Sequence, residues 1–447
     1  MSLNPIVLSI PVFFILIGIE VVWDRIRKGG VYRLADALTN ISCSITEQVS
    51  GVFFKVLSVA LYYGVYEHFR FTSLPINVWT LLLLFLLVDF CYYWAHRWSH
   101  EVNLFWAGHV VHHQSEYYNL SVALRQGALQ KVFTAAVYAP LALLGFHPYW
   151  FLLLMAYNTL YQFWIHTQYI HKMGWLEYIF NTPSHHRVHH GRNPEYIDKN
   201  HAGSLIIWDK LFGTFEPERA PVVYGITTPV NSWNPVYAQV AHLNTLVVDL
   251  KAARGWREVV RVLIGRPGWH PTGQAKASEL LRASELAPSA GFREHASGTG
   301  EYVSGIGEYA PATGEYASGT GEYVPGTGEH ASGQVSTTAA STAPSPNSQS
   351  QFPGASPAVL ALPDQVQVGI RTNVYVLIQY FFLLAVTTYF LFRYEQSSIP
   401  ERTVLTIWIF ATSATLGMLL EKHKSAGFWE GIRLILTIST LFYWMFR

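Results

Sequence analysis

Long apolar runs constrain the fold of this chain more than any other feature of its sequence. A helix that crosses about 30 Å of bilayer hydrocarbon needs about 20 largely apolar residues, and eight stretches meet that requirement. Only 13% of the 447 residues are charged, whereas 50% are hydrophobic, so charge is too scarce to cover a water-facing surface. The sequence therefore predicts an all-α, multi-pass bundle of membrane helices. The predicted spans are 5–23, 42–65, 77–95, 128–146, 148–165, 373–392, 403–420 and 427–446.

Basic residues set the predicted orientation of the first spans. The positions between 25 and 28 carry two arginines and a lysine directly after the first apolar run, and such residues favour the cytosolic side. That run lacks a small-residue cleavage site, so we interpret it as a span rather than a signal peptide. The third span then ends near Ala95 on the cytosolic face, and the fourth and fifth leave that face and return. Segments 96–127 and 166–270 are therefore expected to meet on the cytosolic side.

A change of composition divides the chain after the fifth span. From Glu294 a seven-residue unit repeats as EHASGTG, EYVSGIG and EYAPATG, and a tract rich in Ser, Thr, Pro and Ala follows it. The units lack the apolar pairs of a coiled coil, and their glycines oppose helix, so we predict a disordered linker. His295 and His330 occupy the tyrosine position of the repeat and are expected to be inert. The predicted regions are 1–76 with N-terminal spans, 77–270 as a catalytic domain, 274–368 as the linker and 371–447 with three C-terminal spans.

Three histidine boxes lie in the segments that are predicted to share the cytosolic face. HRWSH, HVVHH and HRVHH repeat the intervals i, i+3 and i, i+4, which on a helix bring Cβ atoms to about 5–6 Å from one another. Eight imidazoles exceed the needs of one four-coordinate zinc and suit a pair of metal ions with open positions. A chance polar patch or a pH-responsive cluster would not explain the repeated spacing. The eight candidate ligands are His96, His100, His109, His112, His113, His186, His189 and His190.

Other residues near the boxes are candidates for ligand or supporting roles. His166 follows the fifth span and is a candidate ninth ligand or a hydrogen-bond partner of one, whereas we expect His185 to orient a ligand. Spacing gives no support to His171 or His201 as ligands. Glu101 is the carboxylate that we favour, either as a metal ligand, as an orienting group or as a proton relay.

Residue types alone do not select the metal, because imidazole suits zinc, copper, iron and nickel. The two cysteines, Cys43 and Cys91, form no CxxC motif, so thiolate ligation is not expected. A two-metal site without thiolates beside a membrane favours non-haem iron that activates dioxygen, with a lipid as substrate. The formal net charge of +1 predicts no general attraction to nucleic acid.

The boxes and their surroundings resemble the fatty acid hydroxylase/sterol desaturase superfamily of di-iron membrane enzymes. Within it the chain is most similar to the alkylglycerol monooxygenase (glyceryl-ether monooxygenase) family, over HEVNLFWAGHVVHHQSEYYNLSVALRQ, NTPSHHRVHHGRNPEYIDKN and LIIWDKLFGTF. The resemblance runs from about residue 80 to 270 and implies that the eight box histidines hold two iron ions, with Glu101 as the functional carboxylate. One departure is DKNH, where the family pattern reads DKNY, so His201 replaces a phenol.

The reaction implied by the resemblance uses O₂ and tetrahydrobiopterin to hydroxylate the ether-adjacent carbon of an alkylglycerol. The product then collapses to a fatty aldehyde and a glycerol derivative. No motif in the sequence identifies a pterin pocket. The implied location is the endoplasmic reticulum membrane in a eukaryote, or the inner membrane in a bacterium, with the site facing the cytosol. Alternatives are a sterol desaturase, sterol-methyl oxidase or fatty acid hydroxylase with a cytochrome donor, a metal transporter, and a histidine-based sensor.

Overall fold

The computed structural model describes residues 5–271 and 368–445, and its regular elements there are all helices. The all-α prediction is therefore confirmed. The predicted linker at 274–368 lies, apart from its last residue, outside the described residues, as do His295 and His330. The α-helices are α1 Pro5–Arg27, α2 Leu34–Phe69, α3 Val78–Glu101, α4 Asn103–His113, α5 Gln130–Thr134, α6 Ala139–Leu143, α7 Pro148–Trp164, α8 Pro183–His189, α9 Ile207–Leu211, α10 Pro235–Ala252, α11 Trp256–Ile264, α12 Ile370–Arg393, α13 Ile399–Leu420 and α14 Ala426–Met445.

Four of the described helices are long and apolar enough to cross a bilayer, which makes the chain a membrane protein. Their outward side chains include many large apolar groups, such as Phe381 at 71% exposure, and such a surface is suited to lipid rather than water. The predicted spans 5–23, 148–165 and 427–446 coincide with α1, α7 and α14, and their crossing of the membrane stays a prediction. The four candidate spans are Leu34–Phe69, Val78–Glu101, Ile370–Gln396 and Ile399–Leu420.

The structure differs from the prediction at 128–146, where one spanning helix was expected. This stretch instead forms α5, a 3₁₀ segment at Ala135–Tyr138, and α6. Pro140 lacks the N–H that would continue the α-helical hydrogen bonds, and its ring disfavours helical geometry before it. The broken stretch packs against α2, where Lys131 forms an ion pair of 2.6 Å with Glu47. The glutamate that interrupts the second apolar run is thus buried and neutralised within the bundle.

Two of the C-terminal helices, α12 and α13, pack against α2 and form one apolar core with it. Leu38 and Val49 of α2 join a cluster of buried side chains that includes Leu383 of α12 and Ile409 of α13. This packing leaves the far side of α2 for the central region of the chain, in which the histidine boxes lie.

A tight connection between α3 and α4 brings the first two histidine boxes face to face. α3 ends at Glu101, Val102 is extended with φ −113°, and α4 begins at Asn103. The Asn103 backbone N–H donates to the Gly265 carbonyl at 2.9 Å, and its side-chain amide donates to the Val262 carbonyl at 3.0 Å. The end of α11 therefore fixes the start of the helix that carries the second box.

Candidate metal centre

Nine histidines meet beside the ends of α3, α4, α7 and α8, and they form two groups. Within each group one ring nitrogen per residue lies within 4.8 Å of every other, and all nine side chains are buried. The nine are the eight box histidines together with His166, so the structure brings every sequence-predicted histidine ligand into one of the two groups. The five-histidine group is His96, His100, His109, His113 and His189, and the four-histidine group is His112, His166, His186 and His190.

Each HxxHH box is divided between the two groups. In the second box the i, i+4 pair His109 and His113 enters the five-histidine group, whereas His112 enters the four-histidine group. The third box shows the reverse division, because His186 and His190 enter the four-histidine group and His189 does not. Residues four apart differ by only about 40° around a helix, whereas adjacent residues differ by about 100°. One short helix can therefore direct two ligands to one ion and the third to its neighbour.

Backbone carbonyls fix the ring orientation of four of these histidines. The Nδ1 of His96 lies 2.7 Å from the His201 carbonyl, and that of His112 lies 2.9 Å from the Arg125 carbonyl. The Nδ1 of His166 lies 2.7 Å from the Gln162 carbonyl oxygen, and the Nδ1 of His189 lies 2.9 Å from the Lys199 carbonyl oxygen. A carbonyl oxygen can only accept, so Nδ1 carries the proton in each ring and Nε2 keeps its lone pair. This arrangement is typical of imidazoles that ligate a metal through Nε2.

The facing Nε2 atoms fit a cation between them. His112 and His166 place their Nε2 atoms 3.2 Å apart, yet both rings carry their proton on Nδ1, so two lone pairs face each other. The corresponding distance is 3.0 Å between His166 and His186 and 2.9 Å between His96 and His109. Metal–nitrogen bonds of about 2.0–2.1 Å place neighbouring ligand atoms roughly 3.0–3.4 Å apart. The donor set therefore has the chemistry and the spacing of a centre for two metal ions.

Burial keeps the histidines outside the spanning helices in the neutral form that binds metal. Burial lowers the pKa of His112 to about 4, and the hydrogen bond to the Arg125 carbonyl opposes this shift only in part. Buried neighbouring imidazoles add to the effect elsewhere in the two groups. Since only neutral imidazole offers a lone pair, the groups remain able to bind metal well below neutral pH. The pKa is held well below its ordinary value, first by burial, in His109, His113, His186, His189 and His190.

An ion pair between Arg187 and Glu218 fixes the helix of the third box. The Arg187 side chain is only 6% exposed, and its guanidinium donates to both carboxylate oxygens of Glu218 at 2.8 and 2.7 Å. It also donates to the carbonyls of Thr167 at 3.0 Å and Ile170 at 2.7 Å. Burial opposes ionisation of Glu218, but the hydrogen bonds and charge of Arg187 outweigh it and lower the pKa of that carboxyl. The residues just after His166 are thereby joined to α8.

Glu101, the predicted catalytic carboxylate, lies at the edge of the centre rather than among the ligand groups. Its carboxylate pairs with Arg97 at 3.2 Å and with Arg266 at 3.8 Å. Sequence reasoning missed Asp198, whose carboxylate lies 3.9 Å from the His100 Nδ1 and 3.7 Å from Arg266. Burial raises the pKa of Asp198. The two carboxylates and two arginines form a polar border on the five-histidine group.

The remaining sequence candidates fall outside the two groups. His171 is exposed. His185 is buried against the Phe215 ring, with centroids 5.3 Å apart. His201 is fully buried, and its ring lies 5.0 Å from that of His100 and 5.6 Å from that of His189. Neither of its ring nitrogens has a hydrogen-bond partner. His201 thus borders the five-histidine group and orients His96 through its carbonyl.

Residues 81–214, which contain all nine histidines, match the family described as fatty acid hydroxylase. This part of the chain is therefore similar to the fatty acid hydroxylase family, and it holds both histidine groups.

Longer matches link the chain to particular enzymes. It is 48% identical over 263 residues to alkylglycerol monooxygenase of Homo sapiens, covering 58% of this chain and 59% of that protein. The protein of the same name in Xenopus tropicalis is 46% identical over 260 residues, 58% of each chain, and that of Danio rerio 41% over 278 residues, 62% of each. The resemblance stated from the sequence is confirmed, although the match spans less than two thirds of each of these relatives. No solved structure matches the chain.

Proposed function

We propose that this protein is a membrane di-iron monooxygenase that hydroxylates the ether-adjacent carbon of alkylglycerols with O₂ and tetrahydrobiopterin. The observation that carries the proposal is the pair of buried histidine groups, in which the Nε2 lone pairs of His112 and His166 face each other at 3.2 Å. The three relatives described above are named alkylglycerol monooxygenases, and they support the substrate class. Two bound irons would activate O₂, which is the oxidant, so that one of its oxygen atoms can be inserted into a C–H bond.

The proposed reaction balances with the pterin as two-electron donor. One oxygen atom enters the C–H bond next to the ether oxygen and gives a hemiacetal. The other leaves as water, with two protons and two electrons from the tetrahydropterin, which becomes a dihydropterin. The bond between the hydroxylated carbon and the ether oxygen then breaks. The hemiacetal hydroxyl gives up its proton and becomes the carbonyl of a fatty aldehyde, and the departing oxygen takes a proton and leaves as a hydroxyl group of the glycerol product.

The chain's own residues have separate roles in this proposal. The nine histidines would hold the two ions, with their rings oriented by carbonyls such as those of Arg125 and Lys199. Glu101 and Asp198, at the border of the five-histidine group, would hold or pass protons for the departing water. α3 is a candidate span that ends in the first histidine box, which supports entry of a lipid chain from the bilayer. The active site would face the cytosol, in the endoplasmic reticulum or a bacterial inner membrane.

Turnover of a defined lipid tests the proposal. Purified protein is incubated with a 1-O-alkylglycerol, O₂ and tetrahydrobiopterin, and fatty aldehyde is measured. We expect aldehyde from the ether lipid but none from the corresponding 1-acylglycerol, and none when tetrahydrobiopterin is replaced by a reduced cytochrome b5-type donor. Aldehyde formation that depends on the cytochrome and not on the pterin would contradict the proposal.

A further inference from the structure

The helix α11 carries an exposed apolar stripe on the side that faces away from the rest of the protein. Trp256, Val260 and Ile264 follow one another at intervals of four residues, which places them on one face of a helix. Their side chains are 71%, 41% and 62% exposed, respectively. Val262 points the opposite way and is fully buried in an apolar cluster with side chains of α4 and α10. One face of α11 therefore packs against the protein, whereas another presents apolar groups outward.

Four exposed basic side chains lie on α11 or just before it, and none of them forms an ion pair within the part of the chain that the structure describes. The carboxylate of Glu258, the one acidic residue of α11, accepts from the backbone N–H of Arg254 at 2.6 Å. Arg266, which follows the helix, pairs with Glu101 and Asp198 and is not one of the four. The four basic residues are Lys251, Arg254, Arg257 and Arg261.

Two of these cations lie on the flank of the apolar stripe. Arg257 and Arg261 each follow a stripe residue directly, so they lie about 100° further around the helix. The Arg257 guanidinium lies 5.6 Å from the ring centroid of Trp256, and that of Arg261 lies 4.6 Å from the ring centroid of Trp269. An apolar stripe with cations beside it is typical of helices that lie in the headgroup layer of a membrane, where apolar groups meet acyl chains and cations meet phosphate.

The chain that contains α10 and α11 begins and ends at the ends of two candidate spans. α10 begins beside the end of α13, because the Glu421 carboxylate accepts from the backbone N–H groups of Trp233 and Asn234. α11 ends beside the end of α3, because the Gly265 carbonyl accepts from the Asn103 backbone N–H at 2.9 Å. α3 and α13 are both long and apolar enough to cross a bilayer.

Contacts of α2 show that the ends of α3 and α13 lie on the same side of the bundle. Near the start of α2, the Thr39 hydroxyl donates to the Trp233 carbonyl at 3.0 Å, beside the end of α13. Near the end of α2, Tyr66 belongs to one apolar cluster with Leu84 from the start of α3. α2 therefore runs antiparallel to α3, and its start lies at the end of α3. Since all three helices are candidate spans, α10 and α11 are held near the bilayer surface on which the histidine boxes lie.

We propose that α11 lies in the headgroup layer of the membrane and binds anionic phospholipid. Trp256, Val260 and Ile264 would contact acyl chains, and Arg257 and Arg261 would contact headgroup oxygens. The bilayer is favoured over a protein partner because both ends of this segment are already held at the ends of spans. The end of α11 also fixes the start of α4, so the lipid contact would support the helix of the second histidine box. This role would hold whatever reaction the metal centre performs.

Spin labels on the full chain in nanodiscs of phosphatidylcholine and phosphatidylserine test the depth of α11. The two native cysteines, Cys43 and Cys91, are buried, so the label is attached to an introduced cysteine. At Val260→Cys we expect more collisions with O₂, which concentrates in hydrocarbon, than with a water-soluble nickel chelate. Phe381→Cys, on the candidate span α12, should behave in the same way, whereas Glu195→Cys, at an exposed polar position, should show the reverse. Nickel access at Val260 equal to that at Glu195 would overturn the proposal, and so would shielding from both reagents, because protein would then cover the stripe.

Charge variants test the choice of anionic lipid. Binding of phosphatidylserine to the full chain in detergent is measured by native mass spectrometry. Removal of two guanidinium charges in Arg257→Gln combined with Arg261→Gln should raise the dissociation constant roughly fivefold for each charge, and binding of phosphatidylcholine should not change. Lys172→Gln combined with Arg219→Gln, at exposed basic positions outside α10 and α11, is the matched control and should bind as the parent does. Phosphatidylserine binding that is equal in the parent and the α11 variant would overturn the assignment of an anionic lipid.

Discussion

The division of the histidines predicts that single substitutions differ in how much metal they remove. His166 lies near the middle of the four-histidine group, with its Nε2 3.2 Å from that of His112 and 3.0 Å from that of His186. His166→Ala leaves that group three histidines, whereas the five-histidine group keeps all its members. His113→Ala instead leaves four histidines in its group, as many as the intact four-histidine group contains.

The expected magnitude follows from the ligand count. A structural zinc site with four ligands binds its ion with a free energy of about 10–16 kcal/mol. This is roughly 3 kcal/mol per ligand, so the loss of one ligand should weaken the affinity for the ion roughly a hundredfold. Iron measured by inductively coupled plasma mass spectrometry should fall from about two ions to about one per chain in His166→Ala. His113→Ala should keep about two, with faster loss of one ion to a chelator. His171→Ala, exposed and outside both groups, is the control. Equal iron loss in the two variants would refute the division into separate groups.

Three further predictions concern the surroundings of the centre. Glu218→Ala leaves the buried Arg187 guanidinium without its carboxylate partner. Because the Glu218 side chain is 21% exposed, the free energy of unfolding should fall by an amount at the lower end of about 3–5 kcal/mol. A melting temperature equal to that of the parent would contradict this prediction. Glu101→Gln should lower turnover but leave the iron content unchanged, because this carboxylate pairs with Arg97 and Arg266 and not with the histidine groups. Loss of iron in this variant would show that Glu101 is a metal ligand. Protonation of a histidine removes the lone pair that binds metal. Because burial lowers the pKa of His112 to about 4, the metal should be retained as the pH falls through 6.5 and should be lost only toward pH 4. Release of metal centred at pH 6.5 would show that the imidazoles are exposed to water.

Helical periodicity accounts for how much of the site could be predicted from the sequence. The boxes place histidines at i, i+3 and i+4. Seven of the nine histidines lie on helices, and His166 and His190 lie just after the ends of α7 and α8. Spacing alone does not assign each histidine to one of the two groups, because that assignment depends on which neighbouring helix faces each ring. Glu101 was favoured for its position next to His100, but adjacent residues point about 100° apart on a helix. Its partner is Arg97, one turn earlier.

Backbone groups and loop residues explain what the sequence could not reveal. The carbonyls that orient His112 and His189 belong to Arg125 and Lys199. Every residue has a backbone carbonyl, so the residue type at these positions does not predict such a contact. Asp198 reaches His100 from a turn in which its φ is +56°, which no spacing rule anticipates. Residues 128–146 are apolar enough to predict a span, but hydropathy does not take account of the N–H that Pro140 lacks, so it does not predict the break in the helix.

The central claim is that nine imidazoles, which lie on four helices or directly after them, surround a pair of iron ions. X-ray absorption at the iron edge of the purified full-length protein measures this directly, because it counts and types the atoms bonded to iron. Nine ring nitrogens shared by two ions predict about four to five nitrogen neighbours per iron, at about 2.1 Å, with the outer-atom scattering of imidazole. A protein that holds no iron after supply of the metal, or an iron surrounded mainly by oxygen or sulfur, would contradict the account.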